Sequence, residues 1–388
     1  MHRRPKVLVF CDWFVPGYKA GGPIRSVYNI VEGLKNEVDF WVVTRDTDLG
    51  ESESYCDIHS GVWTDGAGYH VCYLSKKNQG FKRFWRIIKE MDWDVIYLNS
   101  LFSPKFALEP LLVTWLIQNN ARVILAPRGM LGTGALNIKS NKKAFFLHLT
   151  KAIGFYRSVL WHASTPVEKK QIEEMFGKEV QISIARNMPV PLPDEIQPLE
   201  KHKDELRLIF LARLSVVKNL HLALDYLLKS ANSIGKANIY FDIYGPVEEP
   251  SYWEGCQKII SQMPSNIHVT YQGELTYPEV SKTLKRYHFL FLPTSTENYG
   301  HAIVESLVHG IPVIISDQTP WKNLSEFNAG WDIPVTSEQK YLEVLSSCCK
   351  MHAAEYEKWV IGARGYAERF IVTDEVKNEN LSLFVEGK

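Results

Sequence analysis

The chain has 388 residues, 45% of them hydrophobic and 23% charged, enough to bury full cores and too apolar for a disordered chain. Lysine plus arginine and aspartate plus glutamate both number 44, so the formal net charge is zero. No global basic field argues for nucleic acid, and any anion site must be local.

The first residues, Met1 to Lys6, are basic like a secretory leader, but the apolar run Val7–Cys11 meets Asp12 after five residues. That is too short for a secretory core and reads as a first β-strand. No segment reaches the roughly 18 apolar residues of a membrane-spanning helix. The chain is therefore expected in the cytoplasm, with peripheral contact at the inner face of the cytoplasmic membrane left open. Further strands are predicted at Asp39–Thr44, Tyr69–Leu74, Val95–Asn99, Arg122–Ala126 and Leu160–Ala163. A second series follows at Leu206–Ala212, Ala237–Tyr244, Ile267–Gln272, Phe289–Leu292 and Pro312–Ser316. Helix-length segments separate them, which implies βαβ units and parallel sheets, and continuous apolar runs imply burial on both faces. The fold class is α/β, with two Rossmann-like domains.

Met188-Pro189-Val190-Pro191-Leu192-Pro193-Asp194 has prolines at alternate positions and makes a stiff connector. The expected domains are residues 1–190, a linker 191–205, and 206–366; the tail from Tyr356 to Phe384 reads as helical with a break near Thr373-Asp374, and its part 367–388 is expected to return to the first domain. The six cysteines (Cys11, Cys56, Cys72, Cys256, Cys348, Cys349) show no Cys-x-x-Cys and no zinc-type spacing with histidine. Cys348-Cys349 predicts a helix with one thiol buried.

Open α/β sheets bind ligands beyond the carboxyl ends of their strands, so loops after strands carry the chemistry. After the first strand, Pro16-Gly17-Tyr18-Lys19-Ala20-Gly21-Gly22-Pro23-Ile24-Arg25 is a Gly-rich loop opening a helix. Gly21 and Gly22 permit close backbone approach, and a helix start favours phosphate; a simple turn is the other reading. The loop is neither the G-x-G-x-x-G dinucleotide fingerprint nor a Walker A loop. Asn99 ends one strand, and Ala126-Pro127-Arg128-Gly129-Met130-Leu131 follows another. Arg128 either contacts a substrate or pairs with a buried carboxylate. Residues Lys139 to Leu160 mix basic and apolar side chains at helical spacing; they form either a membrane-surface helix or an ordinary amphipathic one.

In the second half, Ala212-Arg213-Leu214-Ser215-Val216-Val217-Lys218-Asn219 follows a strand and carries two cations five positions apart. They suit a diphosphate, the arginine as a fork and the lysine as a point charge; a surface pair capping a helix is the alternative. Tyr244-Gly245-Pro246 and Gln272-Gly273-Glu274-Leu275 end the next strands, and Trp321 lies after the last, as a core residue or beneath the neighbouring loop. Thr296-Glu297-Asn298-Tyr299-Gly300-His301-Ala302-Ile303-Val304-Glu305 sets two carboxylates across a loop-to-helix transition. Its glycine and free helix N–H groups suit a ligand with an anion and several hydroxyls.

This last segment resembles the Glu-x7-Glu signature of retaining glycosyltransferases with the GT-B fold, and the residues around it look like glycosyltransferase family 4. Arg213…Lys218 and Pro127-Arg128-Gly129-Met130-Leu131 resemble further family segments, the latter one common in members that build surface polysaccharides. Ala212 and Asn219 stand where the family has glycines, and Arg186-Asn187-Met188 where it often has Pro-Asn-Gly. The resemblance implies a GT-B fold with sheets facing across a cleft, and a retaining, metal-independent hexosyl transfer from a UDP- or GDP-sugar, with no cofactor. The acceptor would be a glycan or lipid-linked oligosaccharide for capsule, O-antigen or exopolysaccharide. Glu297, Arg213 and Lys218 would be catalytic. Gly21, Gly22, Gly245, Leu275, Asn298, Tyr299, Gly300, His301 and Glu305 would bind the donor, and Arg25, Asn99 and Arg128 the acceptor. Asp46-Thr47-Asp48 matches the metal-binding Asp-x-Asp of the other large transferase fold but reads here as a loop acidic pair. A non-catalytic sugar-nucleotide or glycan-binding module, or a GT-B epimerase or phosphorylase, is the alternative. Donor base and sugar, acceptor, linkage and oligomeric state stay open.

Overall fold

Strand β1 (Lys6–Phe10) shows why the sheets form. Leu8 and Phe10 enter one apolar cluster, whereas Val7 and Val9 enter another on the opposite face. Strand β5 (Val95–Leu98) divides in the same way, with Ile96 and Leu98 on the first side and Val95 and Tyr97 on the second. Burial on both faces removes the selection for polar residues at every second position, hence the continuous apolar runs. The structure, a computed structural model, describes residues 3–132, 147, 150–151 and 153–385.

The described chain divides into two compact units, Met1–Met188 with Asp374–Lys388, and Pro189–Thr373. In the first, the sheet also contains β2 (Asp39–Arg45), β3 (Trp63–Asp65), β4 (His70–Leu74), β6 (Arg122–Leu125), β7 (Val159–Ala163) and β8 (Ile182–Ile184). Its order is β3-β4-β2-β1-β5-β6-β7-β8, and every pairing is parallel except β3 with β4. In the second, β9 (Glu205–Leu211), β10 (Asn238–Tyr244), β11 (Ile267–Gly273), β12 (Phe289–Leu292), β13 (Val313–Ser316) and β14 (Gly330–Ile333) form an all-parallel sheet in the order β11-β10-β9-β12-β13-β14. Counted from its own first strand, that is the Rossmann order 3-2-1-4-5-6. The order reverses between β9 and β12, and in the first unit between β1 and β5.

Three strands lie beyond the predicted set, namely β3, β8 and β14. All are at or near sheet edges and are short and partly exposed, so they lack the apolar run that marks the central strands. The helix Glu338–Lys350 buries both Cys348 and Cys349, not one of them. Burial pushes the Cys349 thiol up to about 12 and Cys348 well above its ordinary value, so neither is a thiolate at neutral pH. Of the predicted basic helix, Lys139, Lys142, Lys143, Phe145 and Phe146 lie outside the described residues, while Phe155 and Arg157 stand in a turn before β7. Among the described residues, no helix is long and apolar enough to cross a membrane.

The tail breaks close to the expected Thr373-Asp374, but the part that belongs to the first unit starts there and not at residue 367. Ala353–Phe370 is one helix of the second unit, and the segment belonging to the first begins at Asp374, after a break at Val372–Thr373. The final helix, Asp374–Val385, inserts Val376, Leu383 and Phe384 into the first unit's core. The Phe384 ring meets Phe40 at 5.4 Å and Tyr97 at 5.7 Å. Arg186 clamps this helix, reaching Glu379 with its backbone N–H and Nε at 3.0 Å, and Glu375 at 2.9 Å. Burial pushes the Glu379 carboxyl up, but the hydrogen bonds from Arg186 outweigh it and hold the group below its ordinary 4.5. A depressed carboxylate stabilises above its unfolded pKa and loses that contribution as pH falls through the folded value. On acidification below 4.5, amide exchange in Asp374–Val385 is expected to accelerate before exchange in the central strands. Glu379→Gln should flatten this response; an unchanged acid profile would remove the clamp from the account.

Candidate functional site

The switch point of the second unit gathers the sequence's strongest motifs. β9 leads into the loop of Arg213 and Lys218, and its neighbour β12 leads into the loop of Glu297. The two loops are stitched together. Ser295 N–H donates to Val217 O at 2.8 Å, and Thr294 Oγ1 donates to the same carbonyl at 3.1 Å. Asn219 Nδ2 donates to Pro293 O and Ser295 Oγ, both at 2.8 Å. Asn219 has φ 55° and ψ 36°, a left-handed conformation that asparagine tolerates. It thus meets the backbone requirement of a glycine and adds a side chain that glycine lacks.

Lys218 ends a short 3-10 turn, Val216–Lys218, and its Nζ makes an ion pair with Glu297 Oε2. Both side chains are mostly buried, at 15% and 18% exposure, so solvent screens the pair only partly. Arg213 does not join them. It pairs with Glu248, from the loop after β10, at 2.6 Å, and both side chains are about half exposed.

The Glu297 loop is held from below. Glu297 N–H donates to Gln318 O at 2.9 Å, and Ser316 Oγ donates to Thr294 O at 2.5 Å. Trp321 Nε1 donates to Tyr299 O at 2.5 Å, and its ring meets Tyr299 edge-on at 5.5 Å. Trp321 is therefore a support for this loop rather than a residue of the deep core. Gly300 has φ 78°, and a Cβ there would meet Ile303 Cδ1 at 2.8 Å and Glu297 Cγ at 3.0 Å. Its absent side chain leaves room for Glu297 itself. Gly300 precedes the helix His301–Val308, in which Glu305 is 3% exposed. Asn298, Tyr299 and His301 flank the same turn, and the Tyr299 and His301 rings lie 4.9 Å apart.

Gly245 serves the scaffold. With φ 139°, its Cβ would fall 2.0 Å from Ala212 O. The loops after β9 and β10 continue side by side from there, with Leu214 N–H donating to Pro246 O at 2.9 Å and Glu248 N–H to Leu214 O at 3.2 Å. Leu275 is partly buried against the core of the second unit.

In the first unit, Gly21 has φ 64°, and its missing Cβ would face open space within 4 Å. Its glycine is required by conformation and not by crowding. Gly22 is exposed, and Arg25 is half-buried in the first turn of the helix Gly22–Leu34. Asp48 organises this loop, accepting from Tyr18 N–H at 2.8 Å and Lys19 N–H at 3.2 Å. Asp46 accepts from Ser54 Oγ at 3.0 Å. The Asp-x-Asp carboxylates are thus engaged by protein donors, and no group of three His, Cys, Asp or Glu side chains that could hold a metal occurs among the described residues.

Arg128 stands at the carboxyl end of β6 with φ 53°. Its Nε donates to Asn99 Oδ1 at 2.7 Å, Nη1 to Asn187 Oδ1 at 2.5 Å and Nη2 to Tyr97 Oη at 2.6 Å. Asn99 and Arg128 are thereby brought together. The alternative of a pairing with a buried carboxylate fails, because all three acceptors are neutral. Behind them, His162 Nδ1 lies 2.9 Å from Tyr97 Oη and His162 Nε2 lies 2.8 Å from Ala185 O. Sequence reasoning missed Tyr97, His162 and Asn187. Tyr97 and His162 sit inside strands and look like core residues, and Asn187 lies in a segment that departs from the family pattern.

Residues 193–363 match the family model described as glycosyl transferases group 1, a stretch lying within the second unit. No curated protein matches the chain by sequence. The chain resembles the solved structure of Anabaena Alr3699/HepE in complex with UDP-glucose at a TM-score of 0.64 and 13% identity, covering 97% of this chain and 99% of that one. It resembles sucrose-phosphate synthase from Thermosynechococcus elongatus at 0.65 and 13%, covering 98% and 97%. It also resembles WaaG, a glycosyltransferase involved in lipopolysaccharide biosynthesis, at 0.60 and 14%, covering 98% and 100%. At these identities the likeness establishes the fold, which is GT-B, with two parallel-sheet α/β units.

Proposed function

We propose that the protein is a retaining, metal-independent glycosyltransferase using a nucleotide-diphosphate sugar. The observation that carries this reading is the Lys218–Glu297 pair, set at the switch point of a Rossmann-ordered sheet inside the segment that matches glycosyl transferases group 1. The resemblance to structures solved with UDP and UDP-glucose favours a UDP-sugar donor over a GDP-sugar.

In this reading the donor separates the ion pair. Its diphosphate takes Lys218, and the freed Glu297 carboxylate accepts hydroxyls of the transferred sugar. Lys218 and Arg213 then stabilise the negative charge that grows on the leaving phosphate, which is electrostatic catalysis. Backbone N–H groups from Asn298, Tyr299, Gly300 and His301 hold the sugar and the β-phosphate, and Glu305 holds the ribose. The loops of Gly245 and Leu275 line the base, and Gly21 and Gly22 admit the phosphates. A donor phosphate oxygen deprotonates the acceptor on the face the leaving group vacates, so the anomeric configuration is retained. No metal and no cofactor take part. Arg25, Asn99 and Arg128 serve the acceptor, a surface-polysaccharide glycan or lipid-linked oligosaccharide. The site of action is the cytoplasm, at the inner face of the membrane where the acceptor is lipid-linked.

A thermal-shift panel of UDP- and GDP-sugars tests this. One UDP-sugar at about 100 times its Kd should stabilise the donor-binding unit by about 2.7 kcal/mol through mass action, and the same compound should be hydrolysed slowly without acceptor. Binding of UDP with no turnover on any acceptor would favour a non-catalytic module instead. Turnover that ignores the nucleotide would favour a phosphorylase.

A further inference from the structure

The two sheets end in the edge strands β3, β8, β11 and β14, and three of these are blunted. β3 and β8 are three residues long and β14 is four. β3 and β14 also carry Asp65 and Asp332. Short strands and edge charges keep a sheet from pairing with another chain. β11 has neither device. It runs seven residues, Ile267-His268-Val269-Thr270-Tyr271-Gln272-Gly273, without proline, lysine, arginine, aspartate or glutamate. His268, Thr270, Tyr271 and Gln272 are exposed.

The pairing with β10 fixes which backbone groups point away from the sheet. Asn266 O accepts from Ile239 N–H at 2.9 Å, so Asn266 faces β10. Successive residues of a strand turn their N–H and C=O groups to opposite sides. His268 and Thr270 therefore face β10, and Val269 and Tyr271 present both groups outward. The register slips only after Tyr271, beside Gln272, so the run is regular up to that point. Among the described residues, nothing bonds to the outward N–H and C=O groups of Val269 and Tyr271. The side chains are already held. Tyr271 Oη donates to Gly245 O at 3.0 Å, and its ring lies 5.0 Å from that of Trp253 in the helix Pro250–Ile260. Val269 packs on the core of the second unit, and on the other face His268 stacks on Tyr240 at 5.0 Å. A strand docking here meets ordered side chains with little rotamer freedom left to lose.

We propose that β11 is the interface through which two copies of this chain pair, antiparallel about a twofold axis at Thr270. Self-complementarity selects a second copy as the occupant. The axis sets Val269 opposite the second copy's Tyr271, and these are the residues whose backbone groups point outward. Each such pair exchanges two N–H···O bonds, as hydrogen-bonded antiparallel pairs do. It also sets a β-branched side chain beside an aromatic one, a favourable cross-strand combination. Thr270 meets its own counterpart as the non-hydrogen-bonded pair, where side chains of a ladder come closest. No like charges oppose each other along the run. The two six-stranded sheets join into one, and neither copy keeps a free β11 edge.

Sedimentation velocity on the full chain over a dilution series tests this. A species of twice the chain mass is expected, dissociating on dilution, with nothing larger because a twofold contact closes. Thr270→Lys brings two ammonium groups together on the axis and should weaken the dimer roughly tenfold or more, with far-UV circular dichroism unchanged. Thr64→Lys, the same change on the β3 edge, should leave the dimer intact. Thr270→Cys in a Cys56→Ser background, which removes the exposed native thiol, should link two chains through a disulfide when treated with oxidised glutathione. A single-chain mass at every concentration overturns the proposal and leaves the edge to a different partner. A dimer that Thr270→Lys leaves intact, or that Thr270→Cys fails to link, overturns it as well.

Discussion

Lys218→Ala is expected to lower sugar transfer by a factor of about 10²–10³, the loss typical of removing one preorganised donor to a developing charge, with the fold intact. The side chain is mostly buried and faces Glu297, with no other ion pair among the described residues. Two effects combine on its removal. The leaving diphosphate loses a point charge, and Glu297 loses the cation that positions it. Glu297→Gln keeps the shape, removes the competing carboxylate, and should also lower turnover because an amide accepts sugar hydroxyls less strongly than a charged group. Because the two residues act on one donor, their losses should be far from additive. The double variant should therefore be little worse than Lys218→Ala alone. Arg213→Ala should cost less, since Arg213 is half exposed and already paired with Glu248. Steady-state hydrolysis and transfer rates, with circular dichroism as the fold control, read all four proteins. Unchanged turnover in both Lys218→Ala and Glu297→Gln would sink the functional reading.

Gly245→Ala is expected to destabilise the second unit by about 2–4 kcal/mol, combining backbone overpacking with a strained dihedral. The added Cβ would lie 2.0 Å from Ala212 O and 2.7 Å from Ala212 C, which are main-chain atoms with no rotamer to escape into. Relief requires moving the loop after β9, so Arg213 shifts with it and activity falls beyond the loss of folded protein. Gly255 is the control. It lies in the helix Pro250–Ile260 with nothing within 4 Å of its missing Cβ. Gly255→Ala should be neutral or stabilise by up to about 1 kcal/mol. Chemical denaturation midpoints compare the two; equal midpoints would show that the β9 loop yields freely.

What the sequence disclosed follows from what burial does to composition. The central strands of both sheets were legible because burial on two faces leaves an unbroken apolar run. Edge strands β3, β8 and β14 are half wet, and nothing in Trp63–Asp65 or Gly330–Ile333 separates them from loops. The loops after β9 and β12 were legible because charges next to an apolar strand need a reason. Their pairing was not: that Lys218 meets Glu297 while Arg213 turns to Glu248 depends on the order of strands β10, β9 and β12, which spacing does not encode. The Arg128 network was half legible. Asn99 and Arg128 stand at strand ends, but Tyr97 and His162 alternate with apolar neighbours and carry no outward sign of polarity. Asn219 and Arg186 looked like departures from a pattern; one supplies a left-handed turn with two extra bonds, the other a clamp for the final helix.

The discontinuity of the first unit has a consequence for biosynthesis. Phe384 covers Phe40 and Tyr97, and it leaves the ribosome after the whole of Pro189–Thr373 has been made. At about 5–20 residues per second, the nascent first unit waits roughly 10–40 s with those two aromatic faces uncovered. Over that interval the second unit is free to fold on its own, whereas the first stays one helix short of a closed core. Tyr97 is the same residue that orients Arg128. The Arg128 network therefore gains the ring that braces Tyr97 only once the final helix has been made, and a nascent chain stalled before Asp374 carries the sequence of the network without that helix.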